Sequence, residues 1–364
     1  MKIIFASGDV GGARALIPII DRCLKENYSV SVVDHGHIAL EIRGEKKTNN
    51  LELISCETAT AQIERGEAQV IVFASSLKDT TALTLARLCQ SKKILVIHIL
   101  DNWSSYRERM ETDGLPQFIP DIYAVMDKIA YQDALACGIP ESTLIITGHP
   151  ALVTLNNEYE PHKRKKSNTL KELGFDPERL FVVFVSEPAE NDQGVSDASS
   201  TYRGYTEKIV LRKFCDVLQC YADRIQVGVL PHPRENAHEL DKLWKEWKGC
   251  LKGRLITLPT GRPSVFFADG IAGMASILLY EAWLLGKPVI SIQPGLRNDA
   301  LRMLGKREGL FFVDYKENLS ESIKSWIQDV IENKPICSRP ELSMHVMAND
   351  NILGLIKTHC KSRQ

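Results

Sequence analysis

The sequence predicts an α/β protein with two doubly wound parallel-sheet domains. Three observations support this prediction: short apolar strands alternate with helical patterns, the alternation stops and restarts near residue 160, and small-residue turns follow several strands. Strands that alternate with helices form βαβ units, in which the strands are parallel. With 364 residues, the chain is long enough to bury two hydrophobic cores.

In the first half, short apolar runs predict strands, and apolar positions at helical spacing predict helices. Strands are predicted at Lys2–Ala6, Ser29–Val33, Leu51–Ser55, Val70–Phe73, Lys93–Ile99 and Asp121–Val125, and helices at Ala13–Glu26 and Asp79–Gln90. These elements define a first domain over residues 1–156.

Residues 157–168 show no apolar period and contain the basic cluster Lys163–Lys166. Such a cluster is compatible with a membrane or nucleic-acid patch, but between two α/β halves it favours a solvated linker.

The alternation then resumes over residues 169–335, the predicted second domain. Strands are predicted at Arg179–Val185, Gln226–Leu230, Leu255–Leu258, Ser264–Ala268, Pro288–Gln293 and Leu310–Asp314, and helices at Tyr205–Tyr221, Ala237–Trp247, Ser276–Leu285 and Leu319–Glu332. Residues 336–364 have helical spacing with no strand after them, so this segment is expected to pack back on the first domain.

Composition excludes several classes of protein. The net charge of −1 gives no reason to expect nucleic-acid binding. The nine scattered cysteines include no C-x-x-C pair, which indicates reduced thiols in a cytoplasmic protein and neither a disulfide framework nor a metal site. The apolar start is too short for a signal peptide and no run reaches the length of a membrane span, so any contact with a membrane is expected to be peripheral.

The most informative segment runs from Gly273 to Ile292. Its small-residue turn, Gly273, Met274, Ala275 and Ser276, precedes a helix that carries Glu281. Backbone N–H groups in such a turn, together with the positive end of the helix dipole, bind phosphate, and a carboxylate slightly more than one turn later accepts hydrogen bonds from a ribose diol. The segment therefore predicts a nucleotide site; the alternative is an ordinary αβ unit whose glutamate faces solvent.

A second glycine loop lies between the first strand and the first helix. Gly11 and Gly12 permit a close approach of the backbone to a ligand, and Asp9 adds a carboxylate at the same strand end. Because the spacing differs from G-x-G-x-x-G, a sugar or acceptor pocket is favoured over a dinucleotide site.

The loop Leu230–Glu235 follows a predicted strand and contains two prolines, which restrict its backbone. His232 is suited to contact a phosphate or transfer a proton, and Arg234 is suited to bind a phosphate or carboxylate through two hydrogen bonds. The acidic loop Ser186–Gly194 follows the preceding strand; it fits a ligand-contacting loop and a disordered one equally well.

The segment His98–Arg107 groups polar and aromatic side chains at another strand end, a mixture suited to binding a sugar. Asp101 is the first candidate for a general base, and Asp9 is the second. The alternative is that Asp101 caps a helix and that Trp103 belongs to the core.

With these motifs, the chain resembles the GT-B superfamily of nucleotide-sugar glycosyltransferases and non-hydrolysing UDP-N-acetylglucosamine 2-epimerases. The resemblance rests on the first glycine loop, on Thr147-Gly148-His149-Pro150, which is similar to a motif of lipid A disaccharide synthases, and on Gly273–Pro288. It implies two Rossmann-like domains that face a cleft, a turn at 273–276 that binds the phosphates, and Glu281 on the ribose.

His232-Pro233 followed by Ser276 also resembles paired motifs of bacterial sialyltransferases, which implies a CMP-linked donor. The chain departs from the 2-epimerase pattern, since the full set of that family's catalytic acids and its Gly-Gly before the ribose glutamate find no counterparts. A metal-independent glycosyltransferase of surface polysaccharide assembly, with a CMP- or UDP-linked donor, is therefore the first hypothesis, and a 2-epimerase is the second.

The transferase hypothesis implies a nucleotide-sugar donor, a carbohydrate or lipid-linked acceptor and no further cofactor, at the inner face of the membrane or in the cytoplasm. Asp101 or Asp9 would deprotonate the acceptor, while His232, Arg234 and the amides at 273–276 would stabilise the leaving phosphate. A third hypothesis is a non-catalytic nucleotide-sugar sensor. The helices that carry Trp244, Trp247 and Trp283 fit a core or an interface, so a homodimer is compatible with the sequence.

Overall fold

The computed structural model describes residues 1–44, 50–77, 79–258, 261–334 and 341–362, and the strands of these residues form two sheets in which every strand pairing is parallel. The strands are β1 Lys2–Ser7, β2 Ser29–Val33, β3 Leu51–Ile54, β4 Val70–Ala74, β5 Leu95–Ile99, β6 Ile122–Val125, β7 Leu144–Ile146, β8 Leu180–Val185, β9 Ile225–Leu230, β10 Lys252–Leu255, β11 Gly270–Gly273, β12 Val289–Ile292 and β13 Phe311–Val313.

Helices separate almost all of these strands along the chain. They are α1 Val10–Lys25, α2 Gly36–Gly44, α3 Cys56–Glu64, α4 Thr81–Ser91, α5 Lys128–Ala136, α6 Leu155–Arg164, α7 Lys166–Glu172, α8 Ala189–Gln193, α9 Glu207–Leu218, α10 Ala237–Trp247, α11 Arg262–Phe267, α12 Ile277–Leu284, α13 Leu319–Glu332, α14 Glu341–Val346 and α15 Ala348–Ser362. Among the described residues, no helix is both long and apolar enough to cross a bilayer.

The six strands of the second sheet follow the same order as the first six strands of the first sheet, which has a seventh strand, β7, at its edge. The first sheet has the order β3-β2-β1-β4-β5-β6-β7, and the second has β10-β9-β8-β11-β12-β13. In each, the order reverses between the first and fourth strands, β1 beside β4 and β8 beside β11. Loops that leave such a reversal point diverge to opposite faces of the sheet and open a crevice at the carboxyl ends of the strands. The fold therefore predicts one ligand-accepting edge for each sheet.

The chain divides into two compact units, Met1–Thr154 with Pro340–Gln364, and Leu155–Arg339. The core of the first unit consists of alternate side chains of the central strands, such as Ile3 and Phe5, packed against the apolar face of α1. The core of the second unit is built in the same way, with Phe214 of α9 and Trp326 of α13 in ring contact at 6.0 Å.

The C-terminal helix α15 completes the core of the first unit. Ile352, Leu353 and Ile356 are buried in the same cluster as the apolar face of α1. Polar contacts flank this apolar seam: the Asn351 side chain donates to the Thr147 carbonyl at 3.0 Å, and Arg22 pairs with Asp350 at 2.7 Å. The last helix is therefore an integral part of the first unit.

The segment 157–168, predicted to be a solvated linker, is helical instead. Residues Leu155, Tyr159 and His162 follow the i, i+4, i+7 spacing of one helix face. The Tyr159 and His162 rings pack on Phe266 of α11 at 5.9 and 5.1 Å. The helix was not predicted because the apolar stripe begins at Leu155, outside the charged stretch, and two of its three members are polar aromatic rings. Residues 157–168 are exposed or half-buried, and the position of the domain boundary stays a prediction.

The strand predicted at Ser264–Ala268 is also wrong, since Arg262–Phe267 forms α11. The short run Val265-Phe266-Phe267 is compatible with either element, and Pro263 at the first turn favours a helix start. The next strand, Gly270–Gly273, was missed because its two glycines resemble a turn. It lies in the centre of the second sheet, between β8 and β12.

We expect that removal of one apolar side chain from α15 destabilises the first unit. Ile356 is fully buried, and an Ile→Ala change in a core costs about 2–5 kcal/mol. Chemical denaturation of Ile356→Ala should show this loss, while Thr358→Ala, at an exposed position of the same helix, should not. Equal stability of the two variants would contradict the assignment of α15 to this core.

Candidate functional site

Three polar loops meet at the carboxyl edge of the second sheet. Ser186 and Glu187 follow β8, His232 follows β9, and Ala275 follows β11. These three strands are neighbours, and β8 and β11 flank the point of strand-order reversal. The edge that the fold predicts to accept a ligand therefore carries the motifs that the sequence singles out.

The predicted phosphate turn is shorter than expected. Gly273 belongs to β11, where a side chain would press against the Val185 carbonyl at 2.8 Å. The Met274 carbonyl accepts hydrogen bonds from Ser291 Oγ at 2.5 Å and Gln293 Nε2 at 3.2 Å. The Ser276 Oγ accepts the N–H of Leu278 at 3.3 Å and caps α12. The Ala275 and Ser276 amides both lie beside the Glu187 carboxylate.

A carboxylate already contacts these amides. The Ala275 N–H donates to Glu187 Oε1 at 2.6 Å, and Arg203 Nη1 donates to Glu187 Oε2 at 3.0 Å. Glu187 is only 8% exposed. Burial raises its pKa above the ordinary value, although Arg203 and the amides of Ala275 and Ser276 act in the opposite direction. In the free protein, the Glu187 carboxyl group therefore occupies the position in front of these amides.

His232 is held in one tautomer by its own loop. Its Nδ1 accepts the backbone N–H of Arg234 at 3.1 Å, so the proton of a neutral ring lies on Nε2. Burial, followed by the charge of Arg234, lowers the pKa of His232 below its ordinary value. The loop is braced by Glu235, which accepts the His232 N–H at 2.6 Å and the Ser186 hydroxyl at 2.7 Å. The Nδ1 lone pair is therefore engaged within the loop and Nε2 is left as a donor, so the geometry does not favour His232 as a base.

Arg234 forms a two-fold hydrogen bond with Asp192, at 2.6 and 2.7 Å. Its side chain is largely exposed, so the pair can open at small cost because exposed ion pairs stabilise proteins by at most about 1 kcal/mol. The guanidinium remains available to an incoming anion.

Glu281 is buried and paired. Arg262 donates to both of its oxygens, at 2.9 and 2.8 Å, and also to Glu158 at 3.3 Å. The carboxylate is 3% exposed. Sequence analysis predicts that Glu281 accepts ribose hydroxyls. A carboxylate offers about four lone pairs. A ribose hydroxyl would therefore have to bind one of the lone pairs that Arg262 does not use.

At the edge of the first sheet, the structure brings Gly11 and Asp101 together. A side chain at Gly11 would collide with Asp101 Oδ2. Asp9 is exposed at the start of α1, and its side chain makes no capping bond. Gly12 is buried, and a side chain there would strike Ser7 and Ala74. Gly12 therefore serves the packing of α1 on the sheet, whereas Asp9 and Gly11 lie at the surface.

The candidate base Asp101 belongs to an ion pair. Its Oδ1 accepts Arg109 Nη1 at 2.7 Å, with both side chains largely buried. Arg109 also donates from Nε to the Ser105 carbonyl at 3.1 Å. Because a guanidinium occupies one of its oxygens, Asp101 is better suited to hold its loop than to accept a proton. Its role as a base stays a prediction.

The aromatic cluster near Asp101 is core. The Trp103 Nε1 donates to Asp127 Oδ2 at 2.7 Å, and Trp103 and Tyr106 are buried. His98 is fully buried, and burial holds its pKa well below the ordinary value. The expectation that this segment binds a sugar by aromatic stacking is wrong, because these rings face inward.

The Gly-His-Pro motif joins three parts of the first unit. His149 donates its backbone N–H to His345 Nδ1 at 3.0 Å, and its Nδ1 accepts the N–H of Ala151 at 3.2 Å. Its Nε2 is then the donor, and it bonds the Asp101 carbonyl at 3.2 Å. The motif ties the C-terminal segment and the Asp101 loop to the end of β7.

Sequence reasoning missed three charged partners that shape these edges, Arg109, Arg203 and Arg262. Glu187 lies in the acidic loop Ser186–Gly194 that the sequence singles out, although its contact with the Ala275 amide was not predicted. No sequence pattern pointed to the three arginines, because loop geometry decides which residues they pair with.

A scan against protein-family models and a search of curated proteins find no match. Solved structures do match. UDP-GlcNAc 2-epimerase from Methanocaldococcus jannaschii is similar with a TM-score of 0.65 and 16% identity, over 98% of this chain and 100% of that chain. The enzyme of the same name from Neisseria meningitidis, bound to UDP-GlcNAc, has a TM-score of 0.63 and 15% identity, over 98% of this chain and 100% of that chain.

Anabaena Alr3699/HepE in complex with UDP gives a TM-score of 0.59 at 14% identity, over 100% of this chain and 98% of that chain. At sequence identities this low, the structural similarity shows a shared fold and nothing further. The chain therefore has the two Rossmann-like parallel-sheet domains of the GT-B fold, as the sequence predicts.

We expect Asp101→Ala to act mainly through stability. Loss of one partner leaves the Arg109 charge buried and unpaired, which costs about 3–5 kcal/mol. Chemical denaturation should show this loss, with Asp34→Ala as the control because its Arg43 partner is exposed. Unchanged stability in Asp101→Ala would contradict a structural role for the pair.

Proposed function

We propose that this protein is an enzyme that acts on a UDP-sugar and that it epimerises the C2 position of UDP-N-acetylglucosamine. The observation that carries this proposal is the match of the whole chain, both units included, to UDP-GlcNAc 2-epimerases, one of them bound to UDP-GlcNAc. A second support is the anion site built by the Ala275 and Ser276 amides at the reversal point of the second sheet.

We assign nucleotide binding to residues of the second unit. The amides of Ala275 and Ser276 receive a phosphate once Glu187 moves aside. His232 donates from Nε2 and Arg234 from its guanidinium to the diphosphate, which stabilises the charge on UDP as a leaving group. Glu281, held by Arg262, accepts a ribose hydroxyl. Met274 and Gly273 shape the turn through their backbone.

Epimerisation at C2 requires a C–H bond to break and to form again on the other face of the sugar. No carbonyl next to C2 stabilises a carbanion, but elimination avoids one: the electron pair of the C2–H bond forms a C1–C2 double bond while the C1–O bond breaks and UDP leaves with that bond's pair. Return of UDP to C1 and of a proton to the opposite face of C2 completes the inversion. The reaction therefore needs donors for the diphosphate and a base for the C2 proton. It needs no acceptor.

The sequence favoured a glycosyltransferase over an epimerase, and this proposal reverses that ranking. Four of the similar structures are named as UDP-GlcNAc 2-epimerases, one of them as a putative one, and the match covers 97–100% of their lengths. Two alternatives remain: a transferase with a carbohydrate or lipid-linked acceptor, and a nucleotide-sugar sensor without activity. The first experiment distinguishes both from an epimerase.

The purified protein should convert UDP-GlcNAc into its C2 epimer with no second substrate, as followed by proton NMR. In D₂O the product should carry deuterium at C2, because the proton is exchanged through a base. Transfer of the sugar only in the presence of an acceptor would favour the transferase. Binding of UDP-GlcNAc without turnover would favour the sensor.

Glu281→Gln should weaken UDP binding by roughly 10-fold or more, since a hydrogen bond to a charged acceptor contributes about 1.5–3 kcal/mol. Calorimetric titration with UDP measures this. Glu158→Gln is the matched control, because it removes the other carboxylate partner of Arg262 and leaves the Glu281 pair intact. Equal losses in both variants would assign the effect to Arg262 and not to a ribose contact.

A further inference from the structure

A short acidic segment of the second unit contacts two of the groups that the proposed function assigns to the diphosphate. Within this segment, residues 187–192, Glu187 accepts the Ala275 N–H at 2.6 Å, and Asp192 accepts two hydrogen bonds from Arg234 at 2.6 and 2.7 Å. We propose that the segment is an autoinhibitory mimic of the diphosphate and that UDP displaces it on binding. This inference rests on the proposed function.

The two carboxylates belong to one hydrogen-bonded piece of backbone. The Glu187 carbonyl accepts the N–H of Ala189 at 2.8 Å, and the Pro188 carbonyl accepts the N–H of Asp192 at 3.0 Å. These bonds fix the spacing of the two side chains. The hydrogen bonds from Arg234 lower the pKa of Asp192, so this carboxylate is charged. A diphosphate also carries two linked anionic groups, and the segment resembles it in this respect.

The segment bridges the loops on both sides of its own strand. It follows β8, whereas Arg234 follows β9 and Ala275 follows β11, and these two strands flank β8 in the sheet. A ligand at the reversal point of this sheet is expected among the same loops. Segment and ligand therefore compete for the same partners.

The remainder of the loop holds the segment only weakly. Most residues from Asn191 to Thr201 are exposed, and Val195 has 57% of its surface in solvent. Asp197 pairs with Arg297 at 2.7 Å, and both side chains are more than half exposed. Exposed ion pairs contribute little to stability. A loop with few buried apolar contacts opens at a low free-energy cost, so the segment can leave without unfolding the sheet.

Displacement by an anion also leaves no buried cation unpaired. Arg203 donates to Glu187 at 3.0 Å, and both side chains are largely buried. Removal of the carboxylate alone would be costly, since the guanidinium would remain buried without a counter-charge. A phosphate at the Ala275 amide supplies that counter-charge, whereas a neutral ligand supplies none. The exchange is therefore favourable for an anion.

The test compares Asp192→Asn with Asp197→Asn in the full-length protein. Both variants remove one negative charge and one arginine pair from the same loop, but Arg297 has no assigned part in diphosphate binding. Calorimetric titration should show that UDP binds Asp192→Asn about two- to fivefold more tightly than the wild type, the factor that one exposed ion pair supplies. Asp197→Asn should bind UDP with wild-type affinity.

A double-mutant cycle with Arg234→Gln isolates the contact. In the Arg234→Gln background, Asp192→Asn should leave UDP affinity unchanged, because the group that Asp192 occupies is then absent. The same gain in both backgrounds would assign the effect to net charge and would contradict a mimic of the diphosphate.

Hydrogen–deuterium exchange gives a second readout of the displacement. In the free protein, the N–H groups of Asp192 and Gly194 donate to the carbonyls of Pro188 and Glu190 at 3.0 and 2.9 Å. Saturating UDP should accelerate exchange at these amides, because the segment loses the contacts that hold it. A segment that closed over the nucleotide would instead exchange more slowly.

Equal UDP affinities of Asp192→Asn and Asp197→Asn, or slower exchange of residues 189–194 in the presence of UDP, would overturn this inference alone, because UDP would still bind. Failure of the wild-type protein to bind UDP would overturn the nucleotide-binding part of the proposed function and this inference with it.

Discussion

The parallel pairing of β1 with β4 and of β8 with β11 is the constraint on which the rest of the structure depends. Parallel strands gather their carboxyl ends at one edge, and a reversal of strand order separates the loops that leave that edge. Residues far apart in sequence are therefore neighbours there. Glu187 meets Ala275 in the second unit, and His35 meets Asp79 in the first.

Charged groups at both edges are held by specific partners. Asp101 is bound by Arg109, Glu281 by Arg262, and Glu187 by Arg203. Burial makes an unpaired charge costly, so each pair fixes its loop as well as its charge. More exposed groups, such as Arg234 in its pair with Asp192 and Asp9 at the start of α1, are held less tightly.

Sequence patterns were sufficient for the sheets because buried parallel strands are continuous apolar runs, such as Val70–Ala74. They failed where composition was ambiguous: Val265-Phe266-Phe267 forms a helix, and the glycine-rich β11 forms a strand. The site was only partly predictable. Turn and strand-end positions singled out His232, Ala275 and Glu281 as candidates, but the arginine that binds Glu281 depends on how α11 packs, which no local pattern encodes.

The Glu187 carboxylate contacts the amides of Ala275 and Ser276 and so competes with any anion that could bind them. Any anion that binds there has to displace a group tethered to the same unit, whose effective concentration is in the millimolar range or above. Chloride and other weakly held ions in the cell compete poorly against such a tether. A ligand with several points of attachment can displace it, because its other contacts compensate for the exchange. Under the proposed function, the internal carboxylate would therefore favour a ligand with several contacts over a small anion at these amides.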